Sequence, residues 1–295
     1  MIKIISSNEA LGAKITGLDL SKTLSNENEK IIMHALGQYG QICFPNQKLK
    51  TGELKSFSKC FGTLEINIAA SSFCDKDHPE VMILSNIIQD GKPLGLSDAG
   101  QDWHTDMSYS KDIAFANVLY GLKIPRREGI PLGCTKFADM HAAYDTLPET
   151  VKKKLKDATA THDFDKFWEN MRQRPGSKRP PLSAEQRRKK PPVSHPIFMT
   201  HPITGRKVLY ANPGYTMFID GWEEKKSLDM LNFLFKHQLQ KKFIYEHKWS
   251  ENDVIMWDNI GTLHNAVADY TSLEHRFIKR CQVMADKVLE MPLTI

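Results

Sequence analysis

The 295-residue sequence holds only five cysteines (Cys43, Cys60, Cys74, Cys134 and Cys281), an odd number with no close pair. That excludes a disulfide framework or a cysteine-built zinc site and predicts reduced thiols in a cytoplasmic protein. Long apolar runs are also missing. No stretch approaches the roughly 20 residues that a bilayer-spanning helix needs. The opening Met1–Ser7 is too short for the apolar region of a signal peptide and has no small-residue cleavage site. There is no internal repeat, no G-x-G-x-x-G pattern and no phosphate-loop signature, which removes the common nucleotide-cradling turns. What is present excludes disorder: 41% of the residues are hydrophobic and 9% aromatic, ample for a core.

Acidic residues fall slightly short of basic ones, 35 against 40, for a formal net charge of +5. The excess is local. The stretch 171–192, MRQRPGSKRPPLSAEQRRKKPP, has eight Lys/Arg, one acid and five of the 15 prolines, leaving 32 basic and 34 acidic residues elsewhere. Arg187-Arg-Lys-Lys within it raises a nucleic-acid or acidic-membrane reading. A solvated loop is the simpler account, and neither nucleic acid nor membrane is expected as a partner.

Along the chain, 1–62 reads as an α/β cap. A short strand lies in Leu11–Leu18, a helix follows the Ser25 cap, and a second helix starts at Thr51. Val81–Ser85 reads as a strand and Gly91–Gly100 as a loop. Strand-like segments follow at Ile113–Tyr120, Cys134–Phe137, Lys207–Tyr210, Phe243–Trp249, Asp253–Trp257 and Arg276–Met284. One helix, Met140–Leu155, interrupts them, and Ser250-Glu-Asn-Asp reads as a hairpin turn. Many short strands with one helical excursion predict a mainly β fold with flanking helices, a sandwich or barrel, in a single catalytic domain over 1–295.

The first candidate for chemistry is His104-Thr105-Asp106, which follows Trp103. In an extended segment, residues two apart project to one side, so an imidazole and a carboxylate converge. They are two thirds of the facial triad that holds non-haem Fe(II). A surface turn with a capping Asp is the better account of such a tripeptide when it stands alone. The best-placed third ligand among the 11 histidines is His264, at the end of a strand-rich stretch. Arg276 and Arg280 follow it and would share one strand face with Ile278. Two guanidiniums facing an apolar interior each require an anion, either a bound ligand or internal partners such as Asp258 and Glu274.

Trp103-His-Thr-Asp, the distal His264 and the arginine twelve residues later resemble the Fe(II)/2-oxoglutarate-dependent dioxygenases of the taurine and 2,4-dichlorophenoxyacetate dioxygenase family. The likeness spans nearly the whole chain. It includes Leu11-Gly-Ala-Lys-Ile-Thr-Gly-Leu-Asp-Leu, Ile42-Cys-Phe-Pro-Asn-Gln-Lys-Leu, Phe57–Gly62, Cys134–Pro148, His201–Tyr210 and Trp257-Asp-Asn. The resemblance implies a double-stranded β-helix (jelly-roll, cupin-like) core. It implies His104, Asp106 and His264 as Fe(II) ligands and catalytic residues, Arg276 and Thr135 on the distal carboxylate of 2-oxoglutarate, and Arg280 on the substrate's anionic group. With O2 the reaction would release succinate and CO2 while hydroxylating a small organic anion: an aryloxyalkanoate, another carboxylate or an organosulfur acid. Asp106, a residue that halogenating relatives replace, favours hydroxylation. The stretches Glu65-Ile-Asn-Ile-Ala-Ala and Gly100-Gln-Asp lack the taurine-binding histidine and asparagine, so taurine itself is not expected. Tyr109, Phe73 and Tyr215 are candidates for an aromatic pocket lining. The segment 163–200, with its basic stretch 171–192, would form a lid. Oxidative tailoring of an amino-acid derivative and a non-catalytic binding role for the basic insert are the alternatives. A homo-oligomer stays open.

Overall fold

Ala114–Lys123 and Phe277–Met284, rich in β-branched and apolar residues, pair antiparallel inside a seven-stranded sheet. Across that sheet the order is Lys3–Ser6, Ala13–Thr16, Gln41–Phe44, Val254–Asp258, Ala114–Lys123, Phe277–Met284 and Met82–Ser85. The computed structural model describes residues 1–174, 177 and 179–290. Within the basic stretch 171–192, Pro175, Gly176 and Lys178 lie outside the described residues.

Side-chain alternation splits the sheet's residues between two faces. Val118, Tyr120, Val254, Met256, Cys281 and Val283 pack with Ile32, Leu36, Leu54 and Phe57 of the helices Asn26–Tyr39 and Thr51–Lys59. Leu119, Ile255, Trp257 and Ile278 form a separate core with Phe137 and Trp249. Phe137 belongs to a three-stranded sheet ordered Ile244–His247, Thr135–Asp139, Thr262–Ala266, and its ring lies 5.4 Å from that of Trp257. Val254–Asp258 is covered on both faces, which is why all five of its residues are buried. Each such aliphatic side chain contributes about 1.5–3 kcal/mol through burial.

Three expectations change. The helix Met140–Leu155 is two, Met140–Asp145 and Glu149–Leu155, because Pro148 lacks the N–H that a continuous helix requires and instead caps the second. The turn at Ser250 exists, with the Asp253 amide donating to the Ser250 carbonyl (3.2 Å). It joins strands of two different sheets, however, and closes no hairpin. A second long helix, Glu224–Gln238, is absent from the sequence reading. The segment 163–200 carries two helices, Phe164–Arg172 and Ala184–Lys189, and the strand Val193–Pro196, which pairs with Thr159–His162. Among the described residues no helix is long and apolar enough to cross a membrane.

Candidate active site

His104 and His264 face each other across an isolated antiparallel bridge. The His104 amide donates to the His264 carbonyl (3.1 Å), and the His264 amide donates back (2.9 Å). Their ring centroids are 4.2 Å apart. After His104 the chain leaves the extended state and turns, and the Asp106 carboxylate comes back to both rings. Its oxygens lie 3.5 Å from His104 Nε2 and 3.6 Å from His264 Nε2. The three ligand atoms lie within 4.8 Å of one another, an arrangement able to hold one metal ion. Positive φ at Asp102 (123°) and Met107 (57°) brackets the motif, strain of a kind that persists where surrounding contacts fix the backbone.

Orientation is fixed from behind. His104 Nδ1 lies 2.7 Å from the Asp102 carbonyl, so Nδ1 carries the proton and Nε2 offers its lone pair toward Asp106. Thr105 points away and hydrogen-bonds the Asn259 carbonyl. Asn259 clamps the motif's backbone: Oδ1 accepts from the Asp106 amide (3.0 Å) and Nδ2 donates to the Asp106 carbonyl (2.8 Å). Asn117 links this clamp to Arg280, donating to Asn259 Oδ1 (3.4 Å) and accepting from Arg280 Nε (2.9 Å). Arg280 Nη2 donates to Asp106 Oδ2 (3.0 Å) and Gln282 Oε1 (2.6 Å). Burial opposes the Asp106 charge, but the guanidinium and both imidazoles outweigh it and hold the carboxyl well below its ordinary range. Burial, with His104 alongside, pushes His264 far down, so its ring is neutral. His264 Nδ1 is buried without a partner.

Arg276 is buried, 6% exposed, and pairs with no carboxylate among the described residues. Glu274 is bound to Arg127 (2.8 Å) and Asp258 to His201 (2.9 Å), so neither supplies the internal partner that the sequence left open. Burial lowers the Arg276 pKa, with Tyr270 acting against it. Gly133 sits against it, its missing Cβ position being 3.4 Å from Arg276 Nε. Thr135 follows on the adjoining strand, opposite Ala266, and its hydroxyl accepts from Trp249 Nε1 (3.1 Å). His104, Asp106, His264 and Arg280 thus come together directly, while Thr135 begins the strand beside His264 and Arg276 lies against Gly133, just before the strand Phe277–Met284.

A cavity of about 860 Å³ opens over the trio. His104, Asp106 and Arg280 line it with Phe73, Tyr109 and Tyr215. All three proposed aromatic lining residues are therefore in place, joined by Phe164 and Phe167 from the segment 163–200.

Sequence reading missed a second buried trio, His141, His201 and Asp258, whose ligand atoms also lie within 4.8 Å. Backbone amides of Ile203 (3.3 Å) and Thr204 (3.2 Å) donate to His201 Nδ1, which places the proton on Nε2, facing Asp258. That nitrogen has no lone pair for a metal, so the trio is an electrostatic brace, His201 against the Asp258 carboxylate, behind the turn bearing Asn259. Asn259, Asn117 and Gln282 were missed as well. The parity of Arg280 and Gln282 on one strand was the available signal.

Residues 4–282 match the family model described as taurine catabolism dioxygenase TauD, TfdA family. The chain is 28% identical to pentalenolactone F synthase from Streptomyces avermitilis, covering 95% of this chain and 93% of that protein. It is 31% identical to the alpha-ketoglutarate-dependent 2,4-dichlorophenoxyacetate dioxygenase from a Burkholderia species, over 85% of this chain and 84% of the relative. A solved Burkholderia xenovorans structure assigned as an alpha-ketoglutarate-dependent 2,4-D dioxygenase superposes with a TM-score of 0.80 at 29% identity, covering 97% of this chain and 98% of that one. The chain belongs to the TauD/TfdA family and is an Fe(II)- and 2-oxoglutarate-dependent dioxygenase.

Proposed function

We propose that the protein hydroxylates a small organic anion with an apolar or aromatic body, using His104, Asp106 and His264 as the Fe(II) ligands. The observation that carries this is the convergence of two neutral-capable imidazoles and one ionised carboxylate at the floor of an aromatic-walled cavity. The donor set fits the ion: His104 offers Nε2, Asp106 is held ionised, and His264 has no other use for its buried ring. When bound, Fe(II) supplies the open positions and redox chemistry that couple 2-oxoglutarate decarboxylation to C–H hydroxylation.

The chain's own residues orient and exclude. Arg276, a buried cation without an anion, is the counterpart for the distal carboxylate of 2-oxoglutarate, with the Thr135 hydroxyl beside it. Arg280 holds Asp106 and lends positive charge to the inner end of the cavity. Phe164 and Phe167 of segment 163–200 keep water from the reacting carbon, which supports a covering role for that segment. Two sheets facing across a shared core support a double-stranded β-helix within one catalytic unit. The biosynthetic relative from Streptomyces keeps oxidative tailoring as the second reading.

The test is a screen of aryloxyalkanoates, other carboxylates and sulfonates for stimulated succinate release. Release should require both Fe(II) and the added anion, and should fall at least 100-fold in His104→Ala. The reading fails if no anion stimulates release and anaerobic Fe(II) with 2-oxoglutarate produces no charge-transfer absorbance.

A further inference from the structure

The basic segment lines the cavity with three cations, Arg174, Arg179 and Lys190. Of its other described cations, Arg172, Arg174, Arg179, Arg187 and Lys189 pair with Glu169, Asp102, Asp98, Asp165 and Glu185, and Arg188 is exposed outside the cavity lining. Lys190 pairs with none among the described residues, although it is half-buried and lines the cavity. Its ammonium instead sits over the rings of Phe164 (4.0 Å) and Tyr109 (5.0 Å). The helix Ala184–Lys189 sets it there. Ser183 caps that helix, Arg187 ties it to Asp165, and Lys190 terminates it just before the strand Val193–Pro196.

Ring faces attract a lysine but offer it no hydrogen-bond acceptor, so its three N–H donors stay available to an anion. Burial accordingly lowers the Lys190 pKa, and Glu65, the acid whose field it feels, lies beyond 4 Å. By contrast Arg280, the residue expected to hold the substrate anion, commits three of its five N–H donors, on Nε and Nη2, to Asn117, Asp106 and Gln282, and keeps Nη1 toward the cavity. The Glu65 charge also bears on it. Asp106 cannot be released from Arg280 without loosening the trio, whereas no carboxylate of the described residues has to leave Lys190 for an anion to reach it.

We propose that Lys190 is the anchor for the substrate's anionic end. The route between anchor and reaction centre is aromatic. The His104 ring lies 6.0 Å from Tyr215, Tyr215 lies 4.8 Å from Tyr109, and Tyr109 lies beneath Lys190. A substrate bridging these points is elongated, with an apolar or aromatic body against the rings and its acid group remote from the carbon that reacts. This assignment rests on the anionic-substrate reading above and selects a class within it.

The test measures anaerobic binding of phenoxyacetate, 4-phenoxybutyrate and octyl sulfate to protein loaded with Fe(II) and 2-oxoglutarate, with 4-phenoxybutyramide as the neutral counterpart. The parent should bind at least one anion more tightly than the amide, and the longer acid more tightly than phenoxyacetate. Lys190→Ala should weaken that anion about 10- to 100-fold, leave the amide unchanged and keep the parent's 2-oxoglutarate affinity, which shows it folded. Lys190→Arg should restore most of the loss. An anion preference that survives in Lys190→Ala overturns the anchor and leaves the dioxygenase reading standing. A parent that binds no anion better than the amide overturns the anchor together with the anionic substrate class.

Discussion

Arg276 is an arginine that the folded chain leaves uncompensated. Removing one member of a buried ion pair usually costs 3–5 kcal/mol, because the other charge stays behind unpaired. At Arg276 no carboxylate would be stranded, since none is paired with it. Arg276→Met therefore should keep the melting temperature or raise it. Anaerobic titration of 2-oxoglutarate into the Fe(II)-loaded variant should show affinity reduced about 10- to 100-fold, the cost of losing a charge-assisted bidentate contact. A variant that melts much lower, with co-substrate affinity intact, would make Arg276 structural. Lys190 stands in the same condition for a different anion. The sequence exposed the first and hid the second: Arg276 stands twelve residues after His264 in a block that resembles the family, whereas Lys190 merges into a run of four cations, of which Arg187 and Lys189 pair with acids.

At the scale of elements, the turn from Asp258 to Gly261 determines how the trio is held. It joins a strand of the large sheet to the His264 strand. On the way Asp258 engages His201 and Asn259 clamps Asp106. Gly261 allows this crowding, because a Cβ there would lie 2.2 Å from Asp258 Oδ2 and 3.1 Å from His141 Nε2. Gly261→Ala should destabilise by about 2 kcal/mol, the usual cost of overpacking, which lowers the melting temperature by several degrees in a chain of this size. Fe(II) affinity should fall with it, because displacing Asp258 also shifts Asn259. Unchanged metal affinity beside a lowered melting temperature would uncouple the brace from the site. Elements of this kind are only half legible in a sequence. The strands were readable because burial on one or both faces imposes period two or continuous apolar runs. Helix Glu224–Gln238 was not, because Leu228 and Phe233 on its exposed side interrupt the apolar stripe formed by Leu231 and Leu234. The convergence of His104, Asp106 and His264 was readable because all three fall in blocks that resemble the family. The clamp by Asn259 and Asn117 was not, since hydrogen bonds between residues 142 positions apart leave no local pattern.

Over the whole molecule, the buried imidazoles couple stability to pH. Burial holds His141 down at about 4, His162 at about 3 and His247 at about 4, each from an ordinary 6.5, and His195 and His264 are lowered too. Folded, these rings are neutral. Unfolded, they take up protons as pH drops through 6.5. The unfolded state then binds more protons, so the stabilisation is fully present above pH 6.5 and declines below it. Each ring adds a slope of up to about 1.4 kcal/mol per pH unit, against a total stability of about 5–15 kcal/mol. Glu65, Asp139 and Asp253, pushed up by burial, act in the opposite sense and blunt the slope, but the lowered histidines outnumber them. Urea midpoints of the chelator-treated protein should therefore drop steeply between pH 7.5 and 5, before carboxylates of ordinary or lowered pKa titrate. His162 packs against His195 and Tyr210, away from the trio, and makes only long contacts to Thr216 (3.4–3.5 Å). His162→Leu should leave the midpoint at pH 7.5 nearly unchanged and flatten the decline toward pH 5. An equally steep decline in that variant would assign the acid sensitivity to the other buried groups.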